Sequence, residues 1–89
     1  MLGDVNIHNL NSGDLNDCVE NGAFFINDAQ NIANIPSDFG SYRGFLIIYH
    51  MNSYVGQVIY KQDGALYWRW GLHDKSAFLN WKKVVLTEI

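Results

Sequence analysis

The sequence predicts a mainly β, small α+β fold: an antiparallel meander of about four to six strands with one short N-terminal helix, forming a compact knob. Three observations carry this. The second half contains successive β-branched and aromatic runs separated by short polar turns. Asp63-Gly64 stands between two of those runs, the strongest short-range hairpin signal in the chain. The run Phe45-Leu-Ile-Ile-Tyr-His-Met51 is apolar on both faces, as expected for a strand buried on both sides.

The elements follow in order. Residues 1–13 are Asn-rich and without sustained period; they read as an extended, shaft-proximal lead-in, with Val5 and Ile7 as a candidate edge strand. Asp14 to Gly22 predicts a helix of one to two turns, with Asp14 as N-cap, Asp17 in the first turn and Gly22 just past the end. Ala23-Phe-Phe-Ile-Asn27 predicts a short strand. Residues 28–43, which hold the single proline Pro36, predict a loop. Phe45–Met51 turns through Asn52-Ser53 into Val55–Lys61, and Asp63-Gly64 leads into Ala65–Gly71. After the polar loop His73–Ser76, a last strand is expected from Phe78 to about Leu86. A single domain over residues 14–86 results.

With Asp63 and Gly64 as the two loop residues, Ile59 faces Trp68. Alternation then puts Val55, Gln57, Ile59, Leu66, Trp68 and Trp70 on the core face. Gly56, Val58, Tyr60, Tyr67 and Arg69 form a second, aromatic–basic face on which Arg69 stacks on Tyr60 or Tyr67.

Composition bounds the function. A chain of 89 residues buries only about two-thirds of its unfolded surface, so three Trp, five Tyr and five Phe must provide a dense core or a sticky surface. Oligomerisation is the other way to compensate for small size. The net charge of −3 disfavours nucleic acid as a partner, and no apolar run reaches the ~20 residues of a membrane span, so no membrane insertion is expected. The start lacks the basic region of a signal peptide. All six Lys and Arg lie beyond residue 40, whereas residues 1–40 hold only acids, six of them. That asymmetry fits pairing within one fold and also fits complementarity between subunits. The lone Cys18 implies no intrachain disulfide and reads as a small half-buried residue.

Signals for catalysis are absent. His8, His50 and His73 share no ligand spacing, and His50 reads as a packed or rim residue. His73-Asp74 is half of a general-base pair with no Ser or Cys tied to it. Asp14, Asp17 and Glu20 do not follow a calcium-loop pattern, and capping accounts for them. No enzyme activity, cofactor or metal is expected.

One pattern is more specific. Gly13-Asp-Leu-Asn-Asp17, Asn21-Gly-Ala-Phe-Phe25, Gly44-Phe-Leu-Ile-Ile48, Val55-Gly-Gln-Val-Ile-Tyr60, Leu66-Tyr-Trp-Arg-Trp-Gly71 and Phe78-x-x-Trp81-Lys-Lys-Val84 occur in the order of the pyocin knob domain. The chain resembles that family over about residues 14–84, with Gln57, Arg69, Trp81 and Lys82 at its recurrent marks. Phe78 stands where members often carry a second Trp. The resemblance implies a knob module of a phage tail fibre, R-type pyocin fibre or baseplate, located in the virion tail or encoded by a prophage in a bacterial cell. It implies a homo-oligomer, most often a trimer, that meets other tail or fibre proteins and binds a bacterial cell-surface glycan or envelope receptor. The alternative is a trimerisation or assembly module with recognition elsewhere. Tyr67, Trp70 and the His73–Ser76 loop are the expected exposed positions, because loops on a rigid sheet carry function. With Arg69 they give the expected receptor site: Tyr67, Arg69, Trp70, His73 and Asp74. Leu66 and Trp68 are expected in the core and Trp81 as a lid on the sheet.

Overall fold

A computed structural model describes residues 7–89. Its strands are β1 (His8–Leu10), β2 (Gly13–Asp14), β3 (Gly22–Ile26), β4 (Ile32–Ala33), β5 (Gly44–Met51), β6 (Tyr54–Lys61), β7 (Ala65–Leu72) and β8 (Lys82–Val85). Six of them make one sheet in the order β1-β3-β5-β6-β7-β8, and β2 pairs with β4 beside it. The strands from β5 to β8 are sequential antiparallel neighbours, which is the expected meander. The parallel pairing of β1 with β3 makes the sheet mixed. The chain is mainly β, as its sequence predicts. Val5 lies outside the described residues, and Ile7 immediately precedes β1.

The expected N-terminal helix is a single 3-10 turn, Leu15–Asp17. Asp14 caps it as read, its Oδ1 accepting the Asn16 N–H at 2.8 Å. The turn closes with the Cys18 N–H on Leu15 O at 3.1 Å. The Val19 N–H then goes to Asp17 O at 3.1 Å instead of continuing a helix, and the sheet side meets the remaining carbonyl capacity. Gln57 Nε2 donates to Leu15 O at 2.6 Å and to Cys18 O at 2.8 Å. Gly22 therefore opens β3 instead of closing a helix.

The β6–β7 hairpin departs from the expected register. Its loop has three residues, Gln62-Asp63-Gly64, and Lys61 and Ala65 flank it. Gln62 cannot join the turn as a ladder residue toward β7, because its N–H is committed to Arg43 O at 2.7 Å, on the other side. Gly64 then closes the loop with a φ of +97°, donating its N–H to Lys61 O at 3.0 Å. Asp63 Oδ1 accepts the Ala65 N–H at 3.1 Å. Ile59 consequently faces Tyr67, and Trp68 faces Val58.

A one-residue slip turns a whole strand over. On β6 the buried set Val55, Gln57 and Ile59 is as read, but on β7 the faces are exchanged. Ala65, Tyr67 and Arg69 are buried, and Leu66, Trp68 and Trp70 point to the opposite side. Tyr67 is thus core and not an exposed recognition residue, with 1 % exposure. Leu66 and Trp68 are half-buried on the outer face and not in the core.

The core fills the space between one sheet face and the 10–43 segment that folds over it. Leu46 and Ile48 of β5, Val55 and Ile59 of β6 and Tyr67 of β7 pack against Leu15, Val19, Ile26, Ala29, Ile32 and Phe39. The other face is left open. Phe45, Tyr49 and Met51 of β5 are each about half exposed there, so β5 is buried on one side only within this chain. The covering segment is long enough for one face, and no second layer exists among the described residues. The last strand is also shorter than read. Phe78 makes only an isolated bridge to Gly71, and regular pairing begins at Lys82.

Replacing Gly64 with Ala is expected to destabilise the fold by about 1 kcal/mol, because a Cβ is strained at positive φ. Urea unfolding checks this, and an unchanged midpoint would contradict the three-residue turn.

Candidate binding cleft

Alternation places Gln57 in a buried row between Val55 and Ile59, where an unpartnered amide would cost several kcal/mol. Its amide N–H groups and its carbonyl oxygen all find partners. Its amide N–H groups hold Leu15 O and Cys18 O, and its Oε1 accepts from Arg69 Nε at 2.8 Å. Arg69, opposite Gln57 in the ladder, also donates from Nη2 to Asn16 Oδ1 at 2.9 Å. The guanidinium lies over the rings of Phe78 and Trp81, 4.1 and 4.5 Å from their centroids. No buried side-chain N or O lacks a partner among the described residues. Burial pushes the Arg69 guanidinium down to about 10, so it is still a cation at neutral pH.

The same cluster fixes the surrounding loops. Asn34, at a φ of 61° that Asn tolerates better than most residues, donates from Nδ2 to Asp14 Oδ1 at 2.7 Å. Its carbonyl accepts the Trp81 indole N–H at 2.8 Å. Trp81 is half-buried over the cluster and serves as the lid the sequence suggests. Hydrogen bonds from Asn34 and then Asn16 hold the Asp14 carboxyl below its ordinary range.

Between these loops and the 75–81 segment lies a cleft of about 490 Å³. Arg69 forms part of its wall, with Asn16, Asn34, Ser37, Lys75, Ser76, Asn80 and the rings of Phe78 and Trp81. Two cations and five neutral polar side chains line it, together with apolar side chains, and the Lys75 ammonium is paired with Asp17 Oδ1 at 3.4 Å. Arg69 has five N–H groups. Two are committed to Gln57 and Asn16.

The five expected receptor residues are not brought together. Tyr67 is in the core, where its hydroxyl donates to Asp38 Oδ1 at 2.7 Å. Arg69 is buried but reaches the cleft, and its stacking partners are Phe78 and Trp81, not Tyr60 or Tyr67. Trp70 is on the open face, edge-on to Tyr54. His73 leaves the cleft side and joins Glu20 and His50. Asp74 closes its own turn by accepting the Ser76 N–H and hydroxyl. Sequence reasoning passed over Asn16, Asn34 and Asn80 as site residues. One signal for the cluster was present, a Gln on the core side of an alternating strand.

His50 and His73, unrelated by spacing, meet at the far end of the sheet. Their rings stack with centroids 3.7 Å apart and planes 6° from parallel. Glu20 reaches both, with Oε1 3.3 Å from His50 Nδ1 and Oε2 2.8 Å from His73 Nε2. The His73 hydrogen bond is the main cause that holds the Glu20 carboxyl below its ordinary range.

The open face is a third surface. Phe25, Phe45, Tyr60, Val58, Trp68 and Trp70 continue across four neighbouring strands, with Lys82 the charged residue at its β8 margin.

The chain matches no protein-family model, no curated protein and no solved structure.

Asp38 binds the covering segment to the sheet, accepting from Lys83 Nζ as well as from Tyr67. Lys83 and then Tyr67 hold its carboxyl below the ordinary range, as Asn34 does for Asp14. A carboxyl lowered in the folded state contributes stability that is present above its unfolded pKa and lost as pH falls through the folded one. Thermal stability should therefore decline below about pH 4. Asp38→Asn is expected to flatten that acid limb, and a pH profile identical to the parent's would contradict the linkage.

Proposed function

We propose that this chain is a non-catalytic recognition module of a phage tail fibre or baseplate, acting in the virion tail or as a prophage product. Its cleft takes an acidic saccharide of a bacterial cell surface, and its open face meets further copies of the same chain. The observation that carries this reading is the separation of two surfaces of opposite chemistry. A polar, cation-lined cleft lies on the covered side of the sheet, and an apolar aromatic face lies on the other.

Saccharide chemistry suits the cleft. A sugar ring offers an apolar C–H face and a rim of hydroxyls. Trp81 and Phe78 answer the first, while Asn16, Asn34, Ser37 and Asn80 answer the second. A sugar carboxylate is matched by the remaining Arg69 N–H groups and by Lys75, which would exchange its exposed partner Asp17, 3.4 Å away, for the ligand. Each neutral hydrogen bond nets only ~1 kcal/mol. Useful affinity then comes from several linked copies.

The open face suits self-association. Exposed apolar side chains contiguous across neighbouring strands support an interaction site there. Because its centre is nearly uncharged, a second copy can face it without like-charge repulsion. The same face favours a second reading, an assembly module whose fibre carries recognition elsewhere. The two readings differ only in whether the cleft is occupied.

A glycan screen with the whole chain tests the first reading, and acidic glycans are expected among the ligands. Lys75→Ala and Asn80→Ala, both on the cleft wall, should each weaken binding about fivefold, the ~1 kcal/mol of one polar contact. Binding unchanged in both variants would place the site elsewhere, and a blank screen would favour the assembly reading.

Light scattering tests the open face. A homo-oligomer, a trimer by preference, is expected, and Trp68→Lys with Tyr60→Lys should return it to monomer without unfolding it. A parent chain that is monomeric throughout the concentration range would overturn this part.

A further inference from the structure

We propose that the stacked His50–His73 pair is a one-proton lock on the cleft wall: it holds the loop after β7 in place near neutral pH and releases it when a second proton enters. This inference rests on the cleft being a ligand site and adds its regulation. The rings come from the end of β5 and the loop after β7, with centroids 3.7 Å apart and planes 6° from parallel. Their side chains are 27 % and 35 % exposed, so protons reach them from solvent.

Hydrogen bonding fixes the proton count. His50 Nε2 lies 2.7 Å from the Asn52 carbonyl, which can only accept, so Nε2 carries a proton. His50 Nδ1 faces Glu20 Oε1 at 3.3 Å, and His73 Nε2 faces Glu20 Oε2 at 2.8 Å. The His73 hydrogen bond keeps the Glu20 carboxyl below its ordinary range, so it stays an ionised acceptor and both facing nitrogens carry protons. His50 is then an imidazolium, His73 is neutral, and one carboxylate balances one positive charge. With one proton fewer, His50 Nδ1 turns a lone pair toward the carboxylate. With one more, two cations sit face to face at 3.7 Å against a single countercharge. Histidine changes charge between about pH 5 and 8, so these states follow one another in that range.

The other groups at this end do not relieve the second proton. Asp74, beside His73, directs its Oδ1 to the Ser76 N–H and hydroxyl. Lys75 adds a further cation, itself paired with Asp17 Oδ1 at 3.4 Å. β6 brings the uncharged phenol of Tyr54, and β3 opens with Gly22.

The path to the cleft is short. His73 ties its loop to the sheet end through its backbone N–H on Ser53 O at 2.9 Å and its ring on Glu20. Lys75, Ser76 and Ala77, which follow, line the cleft. Lys75 has a φ of 69°, a left-handed conformation uncommon for a residue with a side chain, and its N–H is held by Leu72 O at 2.9 Å. Such a residue relaxes once its surroundings release it. The released loop binds two protons where the stack holds one, so falling pH favours release. Lys75 and Ser76 then leave the cleft wall, and binding weakens in mild acid.

The test follows imidazole nitrogens and amide exchange of the whole chain by NMR between about pH 8 and about pH 4.5. His50 and His73 are expected to titrate in two separated steps. Protection of the His73 and Lys75 amides should fall about tenfold across the more acid step, the linkage of one proton. His50→Phe keeps a ring in the stack but removes the second charge, so its amides should stay protected. Affinity for an acidic glycan should fall with amide protection in the parent and hold in the variant. Because the exchange measurement on the parent needs neither ligand nor variant, it decides the lock even where the cleft takes no glycan. Independent single-step titrations, protection unchanged across the acid step, or glycan affinity that holds while the loop opens would each overturn the proposal.

Discussion

A buried side-chain amide organises this molecule. Gln57 sits in the middle of the central strand β6 with no solvent exposure, and leaving its amide unmet there would cost more than most single contacts provide. The fold meets it from two directions. Backbone carbonyls of the Leu15–Cys18 turn descend onto the amide N–H groups, and the Arg69 guanidinium supplies a donor to the carbonyl oxygen. Placing that turn places Asn16, which takes a second Arg69 N–H, and Asp14, which takes Asn34. Asn34 in turn takes the Trp81 indole. The loops that wall the cleft are therefore fixed by one network that starts in the sheet. This is also why Arg69, nominally a surface residue type, tolerates burial: its plane is stacked and its N–H groups are directed.

The single-layer construction explains the rest. A chain of 89 residues has enough sequence to cover one side of a six-stranded sheet. The covered side holds the polar network, the core and the cleft. The uncovered side keeps the apolar residues that a two-sided sheet would bury, including Phe45, Tyr60 and Trp70. The polar cleft on one side and the apolar face on the other do not compete for surface, as the proposed attachment module would require. The Glu20–His50–His73 cluster occupies a third place, where the turns at one end of the sheet converge.

The meander, the strand positions and the Asp14 cap were legible in the sequence because they depend on alternation and local turn chemistry. The face of β7 was not, because Asp63-Gly64 permits both two- and three-residue loops. The choice rests on Gln62, whose N–H pairs with Arg43 nineteen residues earlier. That single long-range bond moved Tyr67 and Arg69 inward and Trp68 and Trp70 outward, and it divided the expected receptor site. The histidine pair was hidden for a similar reason. Spacing reveals ligands within one element, whereas His50 and His73 are joined only by the packing of two loops. Leu15-Asn16-Asp17, Gln57, Arg69 and Trp81 were noticed as separate marks, and the fold makes them one cluster.

The central claim is that Gln57 and Arg69 act as a unit that holds the Leu15–Cys18 turn. A double-mutant cycle with Gln57→Leu and Arg69→Met, followed by urea unfolding, measures it most directly. Each single change strands a buried partner, so the two should be strongly non-additive. The double variant is expected to be more stable than the sum of the single losses implies, by about 1–3 kcal/mol. Additivity within about 0.5 kcal/mol would show that the two side chains act independently, and would contradict the account.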